Sequence, residues 1–172
     1  MTLWRVVSWM VILGLAGPLR AGGLLARGDA FPAWVLTDQN GVTVSSRDLA
    51  GKTYLLWFYP KAMTSGCTLE GQGLRDSFDA FQQQQVEIVG VSFDPPAQNR
   101  AFVEAEHFPF RLLSDGERTL AVSVGAADAP TQSVARRISY LVGPDGQVRN
   151  VYVSVTPATH AKDVLADLHA PE

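Results

Sequence analysis

Residues 53–59, Thr-Tyr-Leu-Leu-Trp-Phe-Tyr, contain no charged side chain and offer neither face of a strand to water. Successive side chains of a strand point to opposite faces, so a segment of this composition is buried on both, as in a parallel sheet covered by helices. Pro60, with no N–H and a fixed φ, ends it. The period then changes. Leu69, Leu74, Phe78 and Phe81 stand near helical spacing and predict an amphipathic helix over about 66–84, packed against the strand. Residues 86–93 form a second apolar run, and Pro95 and Pro96 open a helix over 97–107, since proline is accepted in a first turn.

The remaining segments fit around that βαβα unit. Segments 33–37 and 42–45 flank Asp38-Gln-Asn-Gly41, whose Asn-Gly pair favours positive φ and predicts a β-hairpin. A short strand at 111–113 and a short helix at 117–124 precede a second hairpin, 137–142 with 147–153, turning about Gly143-Pro-Asp-Gly146. A last helix over 159–169 turns Val164, Leu165 and Leu168 inward. The order ββ, βαβα, βαββα predicts an α/β fold: a central mixed sheet with helices on both faces and an N-terminal hairpin. Trp34 and Trp57 read as core aromatics.

A chain of 172 residues builds one such core, which implies a single active site. With 14 basic and 17 acidic residues and no Lys/Arg cluster, nothing in it tracks a phosphate backbone, and nucleic acid is excluded as a partner. The first residues differ from the rest: Arg5, an apolar run over 6–15, then Gly17, Pro18 and Ala21. That is the three-part pattern of a secretory signal peptide over 1–21, with cleavage after Ala16 or Ala21. Arg20 stops the run short of a bilayer span. The expectation is export, to a periplasm, with the folded domain over 28–172; the alternative is an uncleaved segment that anchors the same domain to the membrane.

An exported protein can form disulfides, but this one has a single cysteine, Cys67, and so no internal bridge. Such a residue is either a small buried apolar side chain or a reactive thiol. Its setting favours the second. Cys67 follows a buried strand and a proline turn, at the start of a helix, where unpaired N–H groups and the helix dipole favour an anion and hence thiolate. Thr64, three residues earlier, has a hydroxyl that both donates and accepts, which suits a hydroperoxide beside the sulfur; by itself it would be a helix cap. Pro60 can wall the sulfur off from water.

Together these read Pro60-Lys-Ala-Met-Thr64-Ser-Gly66-Cys67, which resembles the P-x-x-x-T-x-x-C signature of the peroxiredoxins. Phe58-Tyr-Pro-Lys61, Thr64-Ser-Gly-Cys-Thr68, Glu70 and Leu74-Arg-Asp76 resemble its bacterioferritin comigratory, or Q-type, branch. Gly28-Asp29, Asp38-Gln-Asn-Gly41, Leu49-Ala-Gly-Lys52 and Gly90-Val-Ser92 extend the likeness over nearly all of the chain after the leader.

The resemblance implies a thioredoxin-like fold and a thiol-dependent peroxidase acting on hydrogen peroxide or alkyl hydroperoxides, without metal, flavin or haem. It implies catalytic roles for Pro60, Thr64, Cys67 and Arg137, the arginine that opens a late strand beneath the thiolate. A guanidinium there stabilises thiolate, aligns the peroxide and supports charge on the leaving oxygen. Strand alternation puts the neighbouring Arg136 on the opposite face, as a solvated charge. Gly66 and Glu70 are supporting residues; Glu70 either braces the site or is a first-turn carboxylate favoured by the dipole.

Two departures stand out. Ser65 replaces a proline, and Gln72 stands five residues after Cys67, where many Q-type members carry a resolving cysteine. A sulfenic acid on Cys67 must then be reduced by an external thiol, whether a thioredoxin-like protein, a glutaredoxin or a small thiol. The protein is expected to be a monomer or homodimer. The alternative function is a non-catalytic peroxide sensor or thiol-transfer module on the same fold. His107, His160 and His169 lack metal-ligand spacing and read as surface or packing residues.

Overall fold

The computed structural model describes residues 23–169; the leader expected over 1–21 lies outside them. Seven strands form one mixed sheet. β1 (Val35–Asp38) and β2 (Thr43–Ser45) are the expected hairpin, antiparallel and in register from Val35 opposite Ser45. Its turn is held by Asp38 Oδ1, which accepts from Asn40 N–H (2.8 Å) and Val42 N–H (2.9 Å), while Gly41 takes φ 80°. A 3-10 turn, Ser46–Leu49, leads to β3 (Thr53–Phe58). β4 (Val86–Ser92) and β5 (Arg111–Ser114) run parallel to β3, while on its other side β6 (Ile138–Val142) pairs antiparallel with β3 and β7 (Val148–Tyr152) antiparallel with β6. The strand order is β2-β1-β5-β4-β3-β6-β7.

β3 is central and buried on both faces, as its composition requires. Tyr54, Leu56 and Phe58 enter one core with Ile138, Tyr140 and Val142; Leu55, Trp57 and Tyr59 enter another with Cys67, Leu74, Phe81 and Leu141. The helices are α1 (Ser65–Asp76), α2 (Phe78–Gln83), α3 (Pro96–Glu106), α4 (Thr119–Ser123) and α5 (His160–His169). Pro95 is the residue that precedes α3, and His107, in the left-handed region at φ 55°, ends it. In α5, Val164 is buried and Leu165 and Leu168 pack beside it.

The single helix expected over 66–84 is two. Ser77, at φ −100° and ψ 5°, interrupts it and resets the direction in which Phe78 and Phe81 point. The buried stripe of α1 is Cys67, Glu70, Gly71 and Leu74, an i, i+3, i+4, i+7 set; Leu69 is 48% exposed. Periodicity in apolar residues missed that stripe because a carboxylate and a glycine occupy its middle. Gly71 is needed there: a Cβ would sit 2.4 Å from the Phe108 ring and 3.1 Å from Trp57, so only glycine lets α1 lie this close to β3. The folded unit also begins ahead of Gly28, since Leu25 is buried and its N–H donates to Tyr140 Oη (3.4 Å).

Candidate active site

The parallel strands end at a loop that their own side chains hold. β3 makes its last bond from Tyr59 N–H to Val91 O (3.0 Å), and Pro60 then turns the chain. The Ala62 N–H donates to buried Asp94 Oδ2 (2.8 Å). Behind that contact, Tyr59 Oη (2.8 Å) and Ser92 Oγ (3.2 Å) both donate to Asn99 Oδ1, and Asn99 Nδ2 reaches Leu113 O (3.3 Å). This buried, satisfied network joins β3, β4, β5 and α3 beneath the loop and fixes it. Met63 takes φ 63°, a costly conformation for a side-chain-bearing residue, which aims the chain into α1.

Thr64 occupies the N-cap position of α1, but its hydroxyl does not cap the helix. It donates back to Lys61 O (2.8 Å), closing the loop and leaving the oxygen's lone pairs as acceptors. Cys67 lies in the first turn of α1, fully buried. Arg137, immediately before β6, donates from Nη2 to Cys67 Sγ (3.5 Å) and from Nη1 to Glu70 Oε2 in an ion pair. Gly66 eases the approach, since a Cβ there would lie 3.1 Å from Arg137 Nη2 and displace it by a few tenths of an ångström. Arg136 turns the other way, to Gly125 O (3.1 Å) and exposed Asp128. One guanidinium thus bridges a buried thiol and a buried carboxylate.

The chain is similar to known proteins over most of its length. The model of the AhpC/TSA family matches residues 27–151. Peroxiredoxin Bcp of Escherichia coli K12 is 36% identical over 146 residues, 82% of this chain and 94% of its own. This chain belongs to the AhpC/TSA family of peroxiredoxins. The crystal structure of peroxidoxin BcpB from Mycobacterium tuberculosis superposes with a TM-score of 0.77 at 31% identity, covering 83% of this chain and 95% of that one. The bacterioferritin comigratory protein of Xanthomonas campestris, whose structure was described for alkyl peroxide reduction, gives 0.73 at 30% identity over 78% and 89%. The peroxiredoxin described here is therefore of the Bcp/peroxiredoxin Q type, a thiol-dependent peroxidase on a thioredoxin-like fold.

Its Cys67 is the sole cysteine, so no second thiol in the chain can resolve an oxidised sulfur. Where a resolving cysteine would stand, Gln72 Nε2 donates to Glu106 Oε2 (2.8 Å) and ties α1 to α3. Arg137 brings Cys67 and Glu70 together and lies against Gly66, whereas Thr64 bonds to Lys61 and Pro60 is half-buried at the loop's base. Among the described residues no cluster of His, Cys, Asp or Glu could hold a metal ion.

Sequence reasoning missed a second layer. His160 is 1% exposed, with Nε2 2.9 Å from Ser139 Oγ and 3.8 Å from Glu70 Oε1. His107 is exposed at the end of α3. Burial pushes the Glu70 carboxyl up to about 7, against the pull of the Arg137 charge and the Trp57 indole N–H. Burial also brings His160 down to about 4; Asp163 opposes that and Arg137 adds to it. At neutral pH the imidazole is neutral, and Glu70 holds its proton more tightly than an exposed carboxyl does. The Ser139 signal was visible as a small hydroxyl in the apolar strand Ile-Ser-Tyr-Leu-Val, two residues beyond Arg137 and on the same face. No sequence pattern links it to His160.

Proposed function

We propose that this peroxiredoxin reduces hydrogen peroxide and organic hydroperoxides by a one-cysteine cycle and is restored by an external thiol. The contact of Arg137 Nη2 with Cys67 Sγ at 3.5 Å carries the reading, because it sets a permanent cation against the only nucleophilic sulfur. The Cys67 thiolate attacks the terminal oxygen of ROOH; the S–O bond forms, the O–O bond breaks, and the alkoxide leaves as ROH after taking a proton from solvent. Arg137 aligns the peroxide and supports the charge that develops on the leaving oxygen, while the free lone pairs of Thr64 Oγ1 accept from the peroxide O–H. Pro60 and the loop pinned by Asp94 keep bulk water from the sulfur.

The product is Cys67 sulfenic acid. A first external thiol condenses with it, releasing water and leaving a mixed disulfide; a second displaces Cys67 as thiol and leaves as the oxidised disulfide. The thiol is a small molecule or a protein of thioredoxin or glutaredoxin type, and the enzyme works as a monomer or homodimer outside the cytoplasm, on the strength of the leader-like segment over 1–21. Steady-state peroxide consumption by the protein without residues 1–21, against a panel of thiols, tests the cycle. Turnover with at least one thiol is expected; none with any would favour a peroxide sensor. Cell fractionation of the full chain tests export.

A further inference from the structure

Behind the Arg137–Glu70 pair the protein buries a group whose chemistry packing does not require. Glu70 is fully buried; Arg137 engages its Oε2, and its Oε1 has no hydrogen-bond partner. Two N–H-bearing rings face that carboxylate. Trp57 from β3 has its Nε1 buried and unpaired, and His160 from α5 brings Nε2 to 3.8 Å of Oε1. The imidazole is held by Ser139 Oγ at 2.9 Å, from the strand and face that carry Arg137. A neutral imidazole with its proton on Nε2 donates that one proton to Ser139 Oγ, so its 3.8 Å approach to Glu70 Oε1 is a dipolar packing contact and not a hydrogen bond. Tyr152 from β7 packs edge-on against the ring, 5.4 Å between centroids. The charged groups around it are Glu70 from α1, Arg137 beside β6 and Asp163 on α5; burial and Arg137 disfavour a proton on the imidazole, and Asp163 favours it.

A leucine would fill this volume without burying a polar ring, and Arg137 grips only Oε2, which leaves the orientation of Oε1 to the Trp57 and His160 rings that face it. We propose that His160 is a positioning residue of the peroxidase site: held by Ser139, it fixes the Glu70 carboxylate and through it aligns the Arg137 guanidinium on Cys67. The chain of contacts runs from Ser139 Oγ to His160 Nε2, to Glu70, to Arg137 and to Cys67 Sγ. The proposal rests on the peroxidase reading above, but not on which peroxide or thiol is used.

The test compares His160→Leu, His160→Gln and Ser139→Ala with the parent protein, with Tyr152→Phe as the packing control. Two reactions are followed across pH: peroxide attack by stopped flow, and Cys67 alkylation by intact mass. Alkylation reports the sulfur's surroundings even if peroxide is not turned over, so failure of the peroxidase reading is seen separately as absent consumption by the parent. His160→Leu is expected to slow peroxide attack about tenfold or more per folded molecule, as a sub-ångström misplacement of the aligning guanidinium would, and to shift both pH profiles. His160→Gln, which keeps an N–H donor, recovers part of the rate, and Ser139→Ala, which deletes one hydroxyl, moves the profiles the same way by less. In the Glu70→Gln background, His160→Leu adds little, because both act through one pair. The proposal is overturned if His160→Leu and Ser139→Ala lower the melting temperature while rate and both profiles match the parent. It is equally overturned if the His160 and Glu70 effects multiply.

Discussion

The two sides of β6 solve different problems with neighbouring residues. On one side Ile138, Tyr140 and Val142 close an apolar core with Tyr54, Leu56 and Phe58, and the polar group that β6 brings to it, the Tyr140 hydroxyl, donates to Val124 O. On the other, Arg137, Ser139 and Leu141 meet a thiol, an acid and an imidazole, and Glu70 Oε1 is left without a partner. Arg136 and Arg137 show the contrast most compactly. The first ends in solvent with Asp128; the second is shared between Cys67 and a fully buried carboxylate. Equal charge, one residue apart, is surface decoration on one side and site chemistry on the other, because a strand reverses facing at each step.

Cys67→Ser should break the catalytic side most completely. Serine is nearly the same shape and the fold persists by circular dichroism, but peroxide consumption with any thiol should be lost, and retained turnover would refute the one-cysteine cycle. Arg137→Met removes the bridging cation while keeping much of its packing. It should slow peroxide attack by about 30- to 1000-fold, on the order of 2–4 kcal/mol, in stopped-flow measurements. A smaller effect would mean that the 3.5 Å contact with Cys67 is incidental.

The buried acid and imidazole sharpen the comparison through pH. Glu70 rises from 4.5 to about 7 on folding, so its contribution to stability is complete below its unfolded value and is lost as pH rises toward 7. His160 falls from 6.5 to about 4, so its contribution is complete above its unfolded value and is lost as pH falls toward 4. Between roughly pH 4.5 and 6.5 the two slopes oppose, each at most about 1.4 kcal/mol per pH unit, and the parent's stability should be nearly flat there. Denaturant melts should show stability declining on acidification in Glu70→Gln and declining on alkalinisation in His160→Leu. Parallel slopes in the two variants would contradict the opposite burial costs.

The smallest effects test how tightly the catalytic side is built. Gly66→Ala places a methyl 3.1 Å from Arg137 Nη2, and a shift of a few tenths of an ångström in the guanidinium should slow peroxide attack by less than about tenfold with little change in stability. Arg136→Met should alter neither rate nor stability beyond about 0.5 kcal/mol, since its ion pair is exposed. If Arg136→Met proved the more damaging of the two arginine variants, the facing of β6 would be reversed from that described.

Sequence alone determined what depends on near neighbours. The apolar run at 53–59, the proline stop and the thiol in the next helix's first turn are local signals, and they pointed to a covered sheet with the chain's one thiol just beyond the end of a buried strand. Alternation along a single strand was enough to prefer Arg137 over Arg136. It was not enough for α1, where the inward stripe contains Glu70 and Gly71 and an apolar count pointed to Leu69 instead. Tertiary structure decided the rest, because the groups concerned are distant in the chain. Glu70 faces Arg137 across 67 residues and His160 faces Ser139 across 21, and which of them carries a proton follows from how far each is removed from water. Desolvation belongs to the packed molecule: the same carboxylate at the same helix position would be an ordinary surface acid until β3, β6 and α5 close over it.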